Sequence, residues 1–524
     1  MKRASKRVIP KFVIPKLWLA MFAVFFAITG AYAFATPLGA GSDEPAHMVW
    51  AAATSSGQFD PARSVIHYPG VTPKGMVDHW LVAEPKAPKA LAVLQSEECF
   101  QRGETTTGAC GHLDGSGKLV PAVTYVEQYN PVYYAIVGFP IHFASGVAGM
   151  YLMRLVSAAL VAALLAGAAA LAWRFGKLPF AGVICAASPM AFILGGIVNP
   201  NGIEAAGGLL AWSALAALAL DRRGEHARTR LIGLAVGSGV FAMVRPAGLE
   251  WLALFAGVAV LLLRPRYTRE LLHRTDARMS LAALGALAVL AEAWNRLYGG
   301  LNVIPVSHTH TYTLADSLID TAQSTPNYLL GLIGIAGGAG VADAPVGTIA
   351  LWCAALGLLT LLALALSTRH QALALVTTGA GILLIPFAAN AVKAAQVGNM
   401  WQGRYLLWWA VGLPVLAAAI ISTHAHRLPA TLVRRLPVIV IGACALGNLG
   451  MYWRLIQRYG AGTNTLFLSH LTWSPPSGWA VPALALLAAV AVLITLSLPT
   501  PARKPTDPPL ETAYPGENAV LVGS

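Results

Sequence analysis

The run Gly41-Ser42-Asp43-Glu44-Pro45-Ala46-His47 places two carboxylates and an imidazole within about one helical turn, just past the first long apolar segment. Asp43 and Glu44 are the candidate catalytic residues, because a positioned carboxylate can take a proton from a reacting hydroxyl. A base at a membrane boundary suits a substrate whose apolar tail stays in the bilayer while its polar head meets an acceptor. Other readings stay open. Asp43 could cap a surface helix beginning near Pro45, Glu44 could hold a metal or orient Asp43, and His47, one turn on, could face the same site or be a satisfied surface histidine.

The elements that must carry this run are membrane helices. The 524 residues are 56% hydrophobic and 11% charged, against about 25% charged in soluble domains. Apolar stretches near the roughly 20 residues needed to cross the hydrocarbon core recur, rich in Ala, Leu and Gly rather than alternating, which excludes a barrel reading. About twelve spans are expected: roughly 17–35, 152–173, 180–198, 203–220, 231–246, 248–263, 279–297, 346–366, 371–390, 404–421, 436–453 and 480–498. Most of the 36 Lys and Arg fall in alternate connections: Lys2 to Lys16, Arg174 to Lys177, Arg222 to Arg230, Arg264 to Arg278, Arg369, Arg427 to Arg435, and Arg503 to Lys504. The positive-inside rule then puts both termini in the cytoplasm and Asp43 outside. The formal charge of +13 reads as a topology and lipid signal rather than nucleic-acid binding. The run Trp18 to Ala35 exceeds the roughly 7 to 15 apolar residues of a cleavable signal, so a retained first span is expected.

This gives a basic cytoplasmic N-terminus over 1–16, a transmembrane domain over 17–498 and a disordered cytoplasmic tail over 499–524. External loops cover 36–151, 299–345 and 454–479. The first is expected to be a small folded cap with short helices along the membrane surface. Cys99 and Cys110 both fall in it, and a disulfide between them would contribute roughly 2 to 3 kcal/mol. Cys185, Cys353 and Cys444 fall in spans, as packing residues. His308-Thr309-His310 is a weak metal pattern lacking further ligands. The small-residue run 335–340 reads as a flexible or close-packing segment, and no nucleotide-binding or hydrolase motif is visible.

Asp43-Glu44-Pro45-Ala46-His47, followed by Tyr129-Asn130-Pro131-Val132-Tyr133-Tyr134, Arg154-Leu155 and Gln402-Gly403-Arg404-Tyr405, resembles the bacterial domain-of-unknown-function family 2142, grouped with the GT-C superfamily of membrane glycosyltransferases. The resemblance runs from about 36 to 420. It departs where Leu406-Leu407-Trp408-Trp409 replaces an expected proline, and where Glu204 stands at a position in which Asp is common. It implies a GT-C-like all-α polytopic protein that transfers a sugar from a polyprenyl-phosphate donor to an envelope acceptor, with inversion. Asp43 would then act as base, and the guanidinium of Arg404 would grip the departing phosphate, unless Arg404 is an interfacial anchor among Trp401, Trp408 and Trp409. Gln402, Tyr405, Lys393, His47 and Tyr133 join it as expected substrate-binding residues; the Tyr129 to Tyr134 aromatics suit sugar faces or headgroup anchoring. Arg154 and Arg245 lie near external helix ends, where either could contact phosphate, although snorkelling is the stronger expectation. No cofactor is required beyond the donor, although a divalent metal could take part. The rival readings are a transporter or flippase, which would carry ionisable groups at the midplane, and a non-catalytic envelope-assembly protein.

Overall fold

In the computed structural model the long apolar runs form long helices. The structure describes residues 16–67, 79–96, 99, 103, 105–111, 116–221, 226–300, 312–334, 343–397, 399, 401–463 and 470–499. The His308 to His310 pattern, the small-residue run and nearly all of both termini lie outside those residues. In chain order come α1 (Lys16–Ala35), α2 (Glu44–Ser55), β1 (Arg63–His67), β2 (His79–Ala83), β3 (Lys86–Pro88), α3 (Lys89–Ser96), β4 (Leu119–Pro121), α4 (Pro131–Gly138) and α5 (Gly146–Phe175). They are followed by α6 (Lys177–Ala186), α7 (Pro189–Gly196), α8 (Pro200–Leu220), α9 (Ala227–Val244), α10 (Gly248–Leu262), α11 (Pro265–His273), α12 (Thr275–Tyr298) and α13 (Leu314–Gly331). The chain closes with α14 (Val346–Leu366), α15 (Arg369–Val397), α16 (Leu407–Ala410), α17 (Gly412–Thr423), α18 (Ala430–Leu455) and α19 (Ala480–Ser497).

Among the described residues ten helices are long and apolar enough to cross a membrane, or up to twelve if each of two bent pairs counts as one span. The expected span 180–198 is α6 and α7, bent by 63°. The break precedes Pro189, which has no N–H for a continuous ladder, and the Ser188 hydroxyl instead accepts from the Ala191 N–H. The expected span 248–263 ends in α10, and α11 leaves it at 114° before Pro265. These prolines limit helix continuity in ways hydropathy alone does not register.

Burial sorts the bundle. The apolar window of α8 is 94% buried against protein, whereas that of α12 is 11% buried, so α8 is the central post and α12 offers its surface to lipid. α5, α7, α9, α16 and α17 surround α8. Small residues allow this proximity: a Cβ on Gly208 would sit 2.5 Å from the Trp408 carbonyl oxygen, inside contact distance. The Trp212 indole then donates to that same carbonyl at 3.1 Å.

The connection from α1 to α5 differs from expectation in two ways. It contains two small antiparallel sheets, with β1 paired to β2 and β3 to β4, which strands of five residues or fewer do not announce in sequence. In addition α2 is buried from Glu44 to Thr54, so it is an internal helix rather than a surface one. Trp50 donates to the Tyr129 carbonyl and Thr124 to the Ala46 carbonyl, wrapping the following chain around it. Cys99 and Cys110 form a disulfide. Beside it, Arg458 of the π-turn after α18 donates to the carbonyls of Gly103 and Thr106, clasping this segment to the far end of the chain.

Replacing Gly208 by Val should force α8 from α16 and lower stability by about 1–3 kcal/mol. A fall in the thermal midpoint of detergent-purified protein is expected. An unchanged midpoint would contradict the close α8–α16 approach.

Candidate active site

The turn between α1 and α2 is held by Arg154 of α5. Its guanidinium donates to the carbonyls of Ala33, Thr36 and Pro37 at 2.7, 2.6 and 2.8 Å. It also donates to both carboxylate oxygens of Glu44, at 2.7 and 2.5 Å. Glu44 accepts further bonds from the Gly39 and Val198 N–H groups, both at 3.2 Å. Neither side chain has exposed surface. Glu44 is therefore neither an accessible base nor a metal ligand, and Arg154 does not snorkel: the two expectations are corrected by a fully hydrogen-bonded internal ion pair.

Asp43, the next residue back, has a different fate. Its φ of 59° is left-handed, a region Asp tolerates better than most side chains. It precedes α2 but makes no side-chain capping bond, so the capping reading falls. Instead one oxygen accepts from the Tyr125 hydroxyl at 2.8 Å and the other from an Arg404 guanidinium nitrogen. Its side chain is 33% exposed, against zero for Glu44, which leaves Asp43 reachable.

Arg404 stands in the tight turn Gly403–Leu406 that leads into α16. A Cβ on Gly403 would lie 2.2 Å from the Tyr328 carbonyl oxygen of α13, so only glycine lets α13 support this turn so closely. The Arg404 side chain is 4% exposed. Its Cζ lies 5.1 Å from the Tyr405 ring centroid, and its Nε is buried without a hydrogen-bond partner among the described residues. The two motifs read from the sequence, 361 residues apart, thus meet at a single carboxylate–guanidinium contact.

Electrostatics fixes the resting state. Burial pushes the Asp43 carboxyl up, but the Arg404 charge, with smaller contributions from His47, Tyr125 and Arg245, outweighs it and holds the group below the ordinary carboxylate range. Asp43 is ionised at neutral pH, yet a weak base while Arg404 holds it. Burial depresses the His47 imidazole to about 3, Asp43 opposing and the two arginines reinforcing the fall. His47 is 3% exposed and hydrogen-bonds the Tyr134 hydroxyl at 2.9 Å. It joins α2 to α4 and does not present itself to a ligand.

Tyr133 is corrected likewise: it is buried, with its hydroxyl on Ser157 at 2.9 Å and on the Asn199 carbonyl at 3.3 Å. Gln402 and Tyr405 are half-buried beside Arg404. Lys393 is half-buried near the end of α15, one turn beyond Asn390, which donates to Asn399 and Thr321. One participant escapes sequence reasoning and another is placed differently by the structure. Tyr125 lies just upstream of the Tyr129 motif with no spacing signal of its own. Arg245, expected at the interface, instead turns inward over Tyr405 and donates to Asn201 at 2.8 Å. Among the described residues no three His, Cys, Asp or Glu side chains converge as a metal site.

An all-α bundle of this length and apolarity, with its charged cluster gathered where several helices end, defines a polytopic integral membrane protein. The chain belongs to the family of predicted membrane proteins designated DUF2142, whose model matches residues 25–413. That stretch holds Asp43, Glu44, Arg154, Arg245 and Arg404. No curated protein matches the chain.

The His47 environment makes a pH prediction. The unfolded chain takes up a proton near 6.5 but the folded one only near 3, so acidification through that window favours unfolding and stability falls as pH drops. The substitution His47→Gln should flatten the dependence of the thermal midpoint on pH between about 6.5 and 4. An unaltered slope would show that His47 is not buried neutral.

Proposed function

We propose that this protein is a membrane glycosyltransferase, moving a sugar from a polyprenyl-phosphate donor to an envelope glycan, lipid or protein at the extracytoplasmic face of a bacterial cytoplasmic membrane. The observation that carries the reading is the contact between Asp43 and Arg404, a reachable carboxylate beside a buried guanidinium where membrane helices end. Asp43 takes the proton of the acceptor hydroxyl while that oxygen bonds to the sugar's anomeric carbon. The bond from that carbon to the phosphate oxygen breaks on the opposite face, giving inversion, and the electron pair departs with the polyprenyl phosphate. This leaving group is already anionic, so it needs a cation rather than a strong acid, and Arg404 supplies one. Gln402 and Tyr405 flank that cation. Glu44 and Arg154 do no chemistry but hold Asp43 in place.

A transporter or flippase would use its charged groups in carrying substrate across, and would show no covalent product. The test is mass spectrometry of envelope glycans, lipids and glycoproteins from a deletion strain. Complementation with wild type should restore a missing sugar, whereas an equally abundant Asp43→Asn protein should lower it by about 10²-fold or more, the scale of a lost general base. Profiles identical in all three strains would rule out transfer.

A further inference from the structure

Arg245 closes α9 and faces the same aromatic ring that carries Arg404: its Cζ lies 4.3 Å from the Tyr405 ring centroid. Its nearest carboxylate oxygen, on Glu204, is 3.6 Å away, beyond direct hydrogen-bond range. The other Glu204 oxygen is buried without a partner among the described residues, as is the Arg404 Nε. Glu204 is 1% exposed and Arg404 4%. Buried polar atoms normally find partners, so two guanidinium groups stand on one tyrosine ring, and one of them keeps a donor unused among the described residues. The least enclosed of these charged groups is Asp43, at 33% exposure, and it occupies Arg404.

We propose that Arg245 and Arg404 are the two halves of one phosphate-binding site, and that Asp43 fills the Arg404 half until the phosphate of a lipid ligand displaces it. This rests on the reading of the protein as using a phosphate-bearing lipid. A carboxylate offers two oxygens, and Tyr125 already engages one. The phosphodiester of a sugar-loaded donor has two oxygens not tied to carbon, and the monoester left after transfer has three and more charge, so either can reach the unused Nε of Arg404 together with Arg245. Exchange has a chemical consequence: the incoming phosphate relieves Asp43 of the guanidinium that keeps it weakly basic. Donor binding would therefore arm the base, and Asp43 would not be competent before the donor is in place.

The competition makes an unusual prediction, because removing the proposed base should strengthen ligand binding. Farnesyl phosphate is titrated calorimetrically into the full-length protein in detergent, with farnesol and inorganic phosphate as separate arms. Asp43→Asn should bind farnesyl phosphate about tenfold tighter than wild type, the scale of one charged hydrogen bond. Arg245→Gln should bind it about tenfold weaker, and Arg404→Gln should abolish the gain from Asp43→Asn. The double variant Arg245→Gln/Glu204→Gln, which leaves no lone buried charge, repeats the Arg245 test if the single variant does not fold. Competition by inorganic phosphate supports a headgroup site, and equal affinity for farnesol overturns it. Wild-type binding with no gain in Asp43→Asn overturns the competition alone. A wild type that binds no phosphate ligand overturns the phosphate reading beneath it.

Discussion

Taking a carboxylate and a guanidinium out of water costs several kcal/mol per ion, and a buried pair survives only where every remaining donor and acceptor is met. Glu44 and Arg154 meet that condition. Arg154 reaches the last turn of α1, the chain leaving it and the first residue of α2, while Glu44 also takes the N–H of Val198 just before α8. Three stretches distant in sequence, 33–44, Arg154 and Val198, are tied at one point. Loss of either partner would strand a buried charge at a cost of about 3–5 kcal/mol. The left-handed turn at Asp43 is affordable because Glu44 on one side is fixed by this brace and the Ser42 carbonyl on the other accepts from the Asn199 side chain.

From that constraint the division of labour between adjacent acids follows. Glu44 is enclosed and saturated; Asp43 is one residue closer to the opening and bonded to two groups that can let go. The partner of Asp43 is positioned from the other end of the chain. Gly403 lets α13 press against the turn that carries Arg404, while Gly208 lets α16 press against the buried post α8. Packing in the bundle thereby sets the distance between a carboxylate and a guanidinium, and that distance decides how basic the carboxylate is.

The sequence displays some of this plainly. Apolar runs of membrane length mark the spans, because that signal is local and repeated. The Asp43 and Arg404 motifs stand out through their order and spacing, which resemble the family's pattern. The contacts of Glu44, Arg154 and Arg245 are not legible, although an orienting role for Glu44 is among the sequence readings: the partner lies 110 residues away for Arg154 and 44 for Arg245, and no periodicity encodes such contacts. Tyr133 and His47 look like surface aromatics in the sequence, yet α2 and α4 bury them. The short strands and the bend between α6 and α7 escape for a related reason, since a few residues around a proline or a turn carry little pattern.

The most direct measurement is a cryo-electron microscopy structure of the full-length protein in lipid nanodiscs with a polyprenyl monophosphate. The account predicts phosphate density within hydrogen-bond distance of the Arg404 guanidinium, on the Tyr405 side, with Asp43 released from it and Glu44 still on Arg154. A phosphate bound elsewhere, with the contact between Asp43 and Arg404 intact, would contradict the assignment of this pair as the reactive centre.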